Sequence, residues 1–292
     1  MYKWCWLFVV ISPIGLIAQV FNLASVDYTI LPAGESDFEY NGIRVSLNYP
    51  IKLNERDYMF LGGRYANANL IFGSEPRPFD KKEIDGFQIL DLNFGYLKRL
   101  KNDWLVLSRF SPGLSSNLTA KDLTINDFVI SADVVFILNR KENPKGKPFR
   151  LIFGVSYSEN RGFPYPLPFL SYYRKFHPKW SYNFGVPKTN LQFHASERHR
   201  FKLTAELDGF TSNLQNGTLL DDGQVAESIN ASLILGGLKY EYHFLKRFEL
   251  YAKASYILNK RVQLRDGNQE NIFLLDDANG FYLRVGVELK VN

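Results

Sequence analysis

The chain has 292 residues, with 35 Lys and Arg against 30 Asp and Glu, a net charge of +5 and a hydrophobic share of 46%. That composition excludes a disordered chain, a collagen-like repeat and a coiled coil, and the single cysteine excludes a disulfide framework or a cysteine-rich metal module. The aromatic share of 15%, from 24 Phe, 17 Tyr and 4 Trp, is high and needs a structural reason.

The first 19 residues, MYKWCWLFVVISPIGLIAQ, read as a secretory signal. Lys3 opens it, and Trp6 to Ala18 are almost wholly apolar. Pro13 interrupts this stretch, which is too short to span a bilayer comfortably. Cys5 precedes the apolar core and does not suit lipid attachment. Residues 20–292 are expected to form one domain, and they hold no apolar run long enough for a transmembrane helix.

From about residue 40 onward the pattern has a period of two. Ile43, Val45, Leu47, Tyr49 and Ile51 oppose Arg44, Ser46, Asn48 and Lys52. Phe128, Ile130, Ala132, Val134 and Phe136 oppose Ser131 and Asp133. Phe201, Leu203, Ala205 and Leu207 oppose Lys202, Thr204, Glu206 and Asp208. Phe248, Leu250, Ala252, Ala254 and Tyr256 oppose Glu249, Lys253 and Ser255, and Phe281, Leu283, Val285 and Val287 oppose Arg284 and Glu288. Several of these segments reach the roughly 9–11 residues that a tilted strand needs to cross a bilayer, against five or six in ordinary domains.

Fourteen strands are expected, near 22–31, 41–53, 57–71, 86–99, 104–110, 127–139, 149–159, 169–176, 180–186, 190–197, 201–210, 227–244, 248–259 and 280–291. Twelve is the alternative if two strands in 169–197 merge or lie outside the sheet. The connections alternate long and short, except for a tight one at 187–189. Long loops at one rim and short turns at the other describe an up-and-down antiparallel outer-membrane β-barrel of a Gram-negative bacterium. An even strand count puts both chain ends at the short-turn, periplasmic rim. Unpaired backbone groups in lipid cost several kcal/mol each, so the sheet must be closed. The runner-up fold is a secreted soluble β-protein.

Residues 111–119, SPGLSSNLT, precede a long alternating strand, and residues 154–187 read GVSYSENRGFPYPLPFLSYYRKFHPKWSYNFGVP. The Gly-x-Pro-x-Pro-x-Pro-x-Leu run, the Trp after a short turn and the Gly-x-Pro beyond it resemble the DUF6268 family of Bacteroidetes outer-membrane β-barrels. The resemblance implies the fold and no activity, and it carries over no catalytic or ligand-binding residue. Many such barrels end on an aromatic residue read by the barrel-assembly machinery; this sequence ends Lys290-Val291-Asn292.

The faces place Arg44, Arg64, Asp91, Arg109, Asp133, Arg150, His194, Lys202, Glu206, Glu249, Lys253, Arg284 and Glu288 inward. Two readings follow: a polar lumen that passes or binds small solutes with weak selectivity, or a salt-bridged plug. The run Phe163 to Phe169 carries three prolines, so it suits either an inward constriction or a stiff surface loop. No catalytic, cofactor-binding or metal-ligating residue is assigned. His194 with Ser196 and Glu206 is the most obvious enzymatic combination. Asp221-Asp222-Gly223 and Asp276-Asp277-Ala278-Asn279-Gly280 read as turns rather than calcium loops. The basic residues are scattered through turns, which argues against nucleic acid and for contact with acidic headgroups. Expected partners are outer-membrane lipid and lipopolysaccharide, the assembly machinery and a small solute. A closed structural or surface-binding barrel and a lipid- or peptide-acting enzyme are the alternatives.

Overall fold

A computed structural model of the chain describes residues 22–33, 38–74, 76–119, 122–140 and 148–290. The expected signal, residues 1–19, and the last two residues lie outside them. The strands are β1 (Asn22–Leu31), β2 (Phe38–Lys52), β3 (Asp57–Phe72), β4 (Gly86–Arg99), β5 (Trp104–Ser116), β6 (Phe128–Arg140), β7 (Phe149–Ser158), β8 (Leu167–His177), β9 (Trp180–Val186), β10 (Lys188–His194), β11 (His199–Leu219), β12 (Val225–His243), β13 (Phe248–Arg265), β14 (Asn271–Asp276) and β15 (Phe281–Lys290).

Each barrel strand pairs antiparallel with its neighbours. β1 pairs with both β2 and β15, β15 pairs with β13, and β13 pairs with β12, so the sheet has no free end. Fourteen strands close the wall, and the alternative of twelve is excluded. β14 is outside this count; it folds back along the end of β13.

The expected face assignment holds. Leu47, Leu238 and Phe281 point outward and leave 60%, 63% and 65% of their surface uncovered, and dozens of large apolar side chains do likewise. A water-soluble protein does not carry so continuous an apolar exterior. Near the short-turn rim His199, Tyr240, Tyr242, Phe244 and Phe248 form a chain of ring contacts, and Trp180 packs on Phe193. This is the aromatic girdle of a membrane interface, and it accounts for part of the aromatic load. The protein is a transmembrane barrel of the outer-membrane type, with residues 22 and 290 at its short-turn rim.

Three expectations need correction. The segments 111–126, 211–226 and 260–279 are not simply loops: β5 runs to Ser116, β11 to Leu219 and β13 to Arg265. These extensions pair with β4, β6 and β12, with single or short contacts to β11 and β14 in addition. The last proline of the Pro-rich run, Pro168, stands in a strand, opposite Val155 of β7. It is tolerated because β9 pairs with β8 only up to Leu170. The inward face is also not polar throughout. At the long-loop end Phe38, Leu70, Phe87, Ile89, Phe210 and Ile229 join one buried apolar cluster. Towards the short turns Tyr58, Phe60, Leu97, Leu105, Leu107 and Ile137 form a second.

β5 and β11 lie six strands apart in the wall, yet they meet. Ser116 and Asn213 form a parallel bridge, and Ser115 Oγ donates to Thr211 O at 2.8 Å. Asp127, buried in the loop before β6, ties the crossing together. Its carboxylate accepts from Asn213 at 2.8 Å, Gln215 at 2.7 Å and the Thr124 N–H at 2.7 Å. Burial alone would raise its pKa, but hydrogen bonds from Ser116, Thr124, Gln215 and Asn213 outweigh that and hold it at about 2.

Two predictions follow from this wall. Val285→Arg places a charge on the lipid face mid-strand and is expected to cost about 2–4 kcal/mol in urea unfolding from vesicles, although the adjacent Arg284 is tolerated facing in. For Asp127, a depressed folded-state pKa means stabilisation above the ordinary carboxylate range that fades as pH falls through about 2. Wild type should therefore lose thermal stability on acidification over that window, and Asp127→Ala should start lower and lose less.

Candidate functional site

Every inward residue named from the sequence faces the interior, and nearly all are bound there. On β3 and β4, Arg64 Nη2 lies 2.5 Å from Asp91 Oδ2. On β5 and β6, Arg109 pairs with Asp133. Both pairs sit directly across a hairpin. Arg284 of β15 reaches Asp208 of β11 at 2.9 Å and Asp27 of β1 at 3.4 Å, and Tyr282 donates to Asp208 at 2.6 Å. Arg44 joins this group at 3.9 Å from Asp27 and 4.0 Å from Asp208. Glu206 receives Lys188 at 2.7 Å and Lys253. Arg150 stacks over Tyr173. In a poorly hydrated interior a charge without a partner is costly, so these pairings are required for the barrel to close around them.

The densest group lies near the short-turn rim. The fully buried Glu241 is ion-paired with Lys202 at 2.5 Å and Lys239 at 3.0 Å, and accepts from Arg200 at 3.3 Å. Glu249, also fully buried, lies 2.8 Å from His243 Nε2 and accepts from Lys290. Glu288 lies 3.9 Å from Lys239. Glu241, His243 and Glu249 bring ligand atoms within 4.8 Å of one another. Lys239 lies 3.0 Å from Glu241 and 3.6 Å from Glu249, and Lys290 also reaches Glu249, so the trio is part of an ion-pair network. Lys239, Glu241 and His243 alternate with Leu238, Tyr240 and Tyr242, so their shared inward face was readable from β12.

The most obvious enzymatic combination, His194 with Ser196 and Glu206, is not assembled. Ser196 Oγ accepts from the N–H groups of Arg198 at 3.2 Å and His199 at 3.1 Å, which makes it a turn residue. Glu206 belongs to its lysines. His194 Nε2 instead meets Ser181 Oγ of β9 at 2.8 Å. Ser181 is fully buried, and among the described residues no carboxylate orients the other ring nitrogen. A serine and a histidine without an acid or access do not make a hydrolytic site. Asp222 and Asp276 accept from nearby backbone N–H groups, as turn residues do.

Residues 159–163, just before the prolines, fold into the barrel. Asn160 Nδ2 donates to Asp91 Oδ1 at 2.7 Å, and its Oδ1 accepts from Arg64 at 3.3 Å. On the other side Gly162 O accepts from Asn230 at 3.0 Å and Ser232 at 2.5 Å, and Arg161 O accepts from Thr211 at 2.7 Å. The segment thus links β3 and β4 to β11 and β12. The approach depends on two glycines whose backbones touch. A Cβ on Gly162 would lie 2.2 Å from Ala231 O, and one on Gly209 would lie 1.9 Å from the same oxygen. Gly209 also has φ +133°, which side chains rarely adopt.

This crossing separates two interior cavities. One, of about 370 Å³, lies among Phe38, Tyr40, Leu70, Ile89, Phe163 and Phe210, with Arg44, Arg64, Arg161 and Arg284 on its polar side. The other, of about 150 Å³, is lined by Ser46, Asn48, Asn93, Arg109, Ser111 and Ser131. Arg64 and Arg161 line both.

No curated protein sequence matches the chain. Among solved structures it is similar to the COG4313 outer membrane channel from Pseudomonas putida F1, at 8% identity and a TM-score of 0.48, over 91% of this chain and 94% of that one. It is also similar to LpxR from Salmonella typhimurium, at 10% identity and a TM-score of 0.43, over 91% and 99%. The translocator domain of the autotransporter NalP from Neisseria meningitidis gives 13% and 0.38, over 94% and 90%. Likeness at this level concerns the fold alone. The sequence profile of the domain of unknown function DUF6268 matches residues 57–291. The chain belongs to the DUF6268 family.

Proposed function

We propose that this barrel conducts or transports small solutes, with residues 159–163 as its internal constriction. The observation that carries this reading is the pair of cavities on either side of the inward segment, which share Arg64 and Arg161. They describe a path narrowed at one level. Both signs of charge line the interior, so weak ion selectivity is expected. The outer face would contact membrane lipid and lipopolysaccharide, residues 1–19 would direct export, and the barrel-assembly machinery would insert the chain. The ion pairs around Glu241 and Glu249 favour a second reading, a sealed barrel whose activity lies in its long loops.

Planar-bilayer recording tests this. Wild type is expected to open in small steps with little discrimination between cations and anions. Deleting Arg161 to Pro166 should raise the conductance several-fold. Silence in both forms would establish the sealed barrel instead.

A further inference from the structure

Arg161 differs from the other interior arginines. Arg44, Arg64, Arg109 and Arg284 each have a carboxylate partner. Arg161 bonds only a neutral group, with Nη1 donating to Ser156 Oγ at 2.9 Å, and Ser156 in turn donates to Asp133. Among the described residues no carboxylate lies at salt-bridge distance from it. Around it stand Arg64 and Arg109, matched by Asp91 and Asp133, so the group carries one positive charge in excess. That charge is half-buried, and an anion held there would recover a charge-assisted hydrogen bond that the protein leaves unmade.

The larger cavity adjoins this charge, and most of its wall is apolar. Its volume of about 370 Å³ is more than twice that of the 150 Å³ apolar cavity known to take up benzene. The rings of Tyr40 and Phe210 stack at 5.9 Å on one wall, and Leu70 and Ile89 are nearly fully buried beside them. A wholly polar solute would strip water from itself without replacement there. A wholly apolar one would leave Arg161 unmatched.

We infer that the larger cavity binds an amphipathic monoanion, its carboxylate on Arg161 and its hydrocarbon body against Tyr40, Leu70, Ile89 and Phe210. This rests on the solute reading above and names its substrate class. Asp208 also lines this cavity, but its carboxylate is held by Arg284 and Tyr282 and forms no salt bridge with Arg161.

Equilibrium titration of the purified barrel in nonionic detergent with octanoate, octanol and acetate tests the assignment without recording current. Octanoate should bind saturably at one site and raise the melting temperature. Octanol should bind about tenfold or more weakly, as the loss of one charge-assisted hydrogen bond implies, and acetate should not register. In Arg161→Gln the preference for octanoate over octanol should vanish, with octanol binding unchanged. Leu233→Trp, which fills the cavity from β12 and leaves Arg161 in place, should abolish binding of both. Equal binding of octanoate and octanol by wild type would overturn the inference, as would an undiminished preference in Arg161→Gln or non-saturable uptake alike in all variants. A barrel that conducts yet fails to bind octanoate would refute this site and leave the solute reading standing. Binding without conductance would do the reverse.

Discussion

Hydrocarbon offers backbone amides no hydrogen-bond partner, and everything else in this protein follows from meeting that constraint with strands. A sheet in lipid must close on itself, and the pairing of β15 with both β1 and β13 does so. Closure then divides every strand. The outer face must be apolar along the bilayer, so all polar chemistry has to go inside. A barrel of eight strands can be filled by its own side chains, but one of fourteen is too wide for that. The interior of this one is filled by three devices: apolar clusters near both ends, ion pairs between facing walls, and an inward segment of chain.

The inward segment and the β5–β11 crossing act at the same end of the barrel. β9 and β10 have seven residues each, whereas β11 has 21. Beyond Glu206, β11 has no β10 partner, and on that side only β5 reaches it, at Asn213. Its exposed backbone groups find other partners. Leu207 N–H donates to Pro187 O, Thr211 N–H donates to Asn160 O, and Asn213 O accepts from Asn117. The constriction thus does two things at once, narrowing the lumen and satisfying an edge that would otherwise be open.

How much of this was legible in the sequence depends on what lipid demanded of each residue. The bounds of β4 and β9 match the expected ones residue for residue, because turn residues mark both ends. Arg64 and Asp91 were readable as inward, and so was their pairing in principle, since they face each other directly across one hairpin. The contact of Arg284 with Asp208 was not, because it spans the lumen between strands far apart in sequence. The apolar ends of β3 and β4 were hidden for a different reason. Leu90, Leu92 and Phe94 face lipid while Phe87, Ile89 and Leu97 face in, so both faces are apolar and the period of two disappears. The inward turn of residues 159–163 was only half visible. The prolines at 164 and 166 marked a break between strands, but the glycine that lets the backbone reach β12 could not be told from any loop glycine.

The two kinds of interior filling reinforce each other. The apolar clusters around Phe87 and around Leu107 reduce the water available to the charges near them. Lower hydration strengthens each correctly placed ion pair and raises the cost of each misplaced one. Such a network contributes little to stability by itself, since desolvation offsets most of the attraction, but it penalises any arrangement that leaves a charge alone. Against that background the position of Arg161 is informative. Its neighbours are paired across hairpins by register, whereas it stands on a segment that belongs to no strand and faces both cavities. The interior chemistry is therefore neutralised where the wall is fixed and left uncompensated where the path narrows, which is where a solute would have to pass.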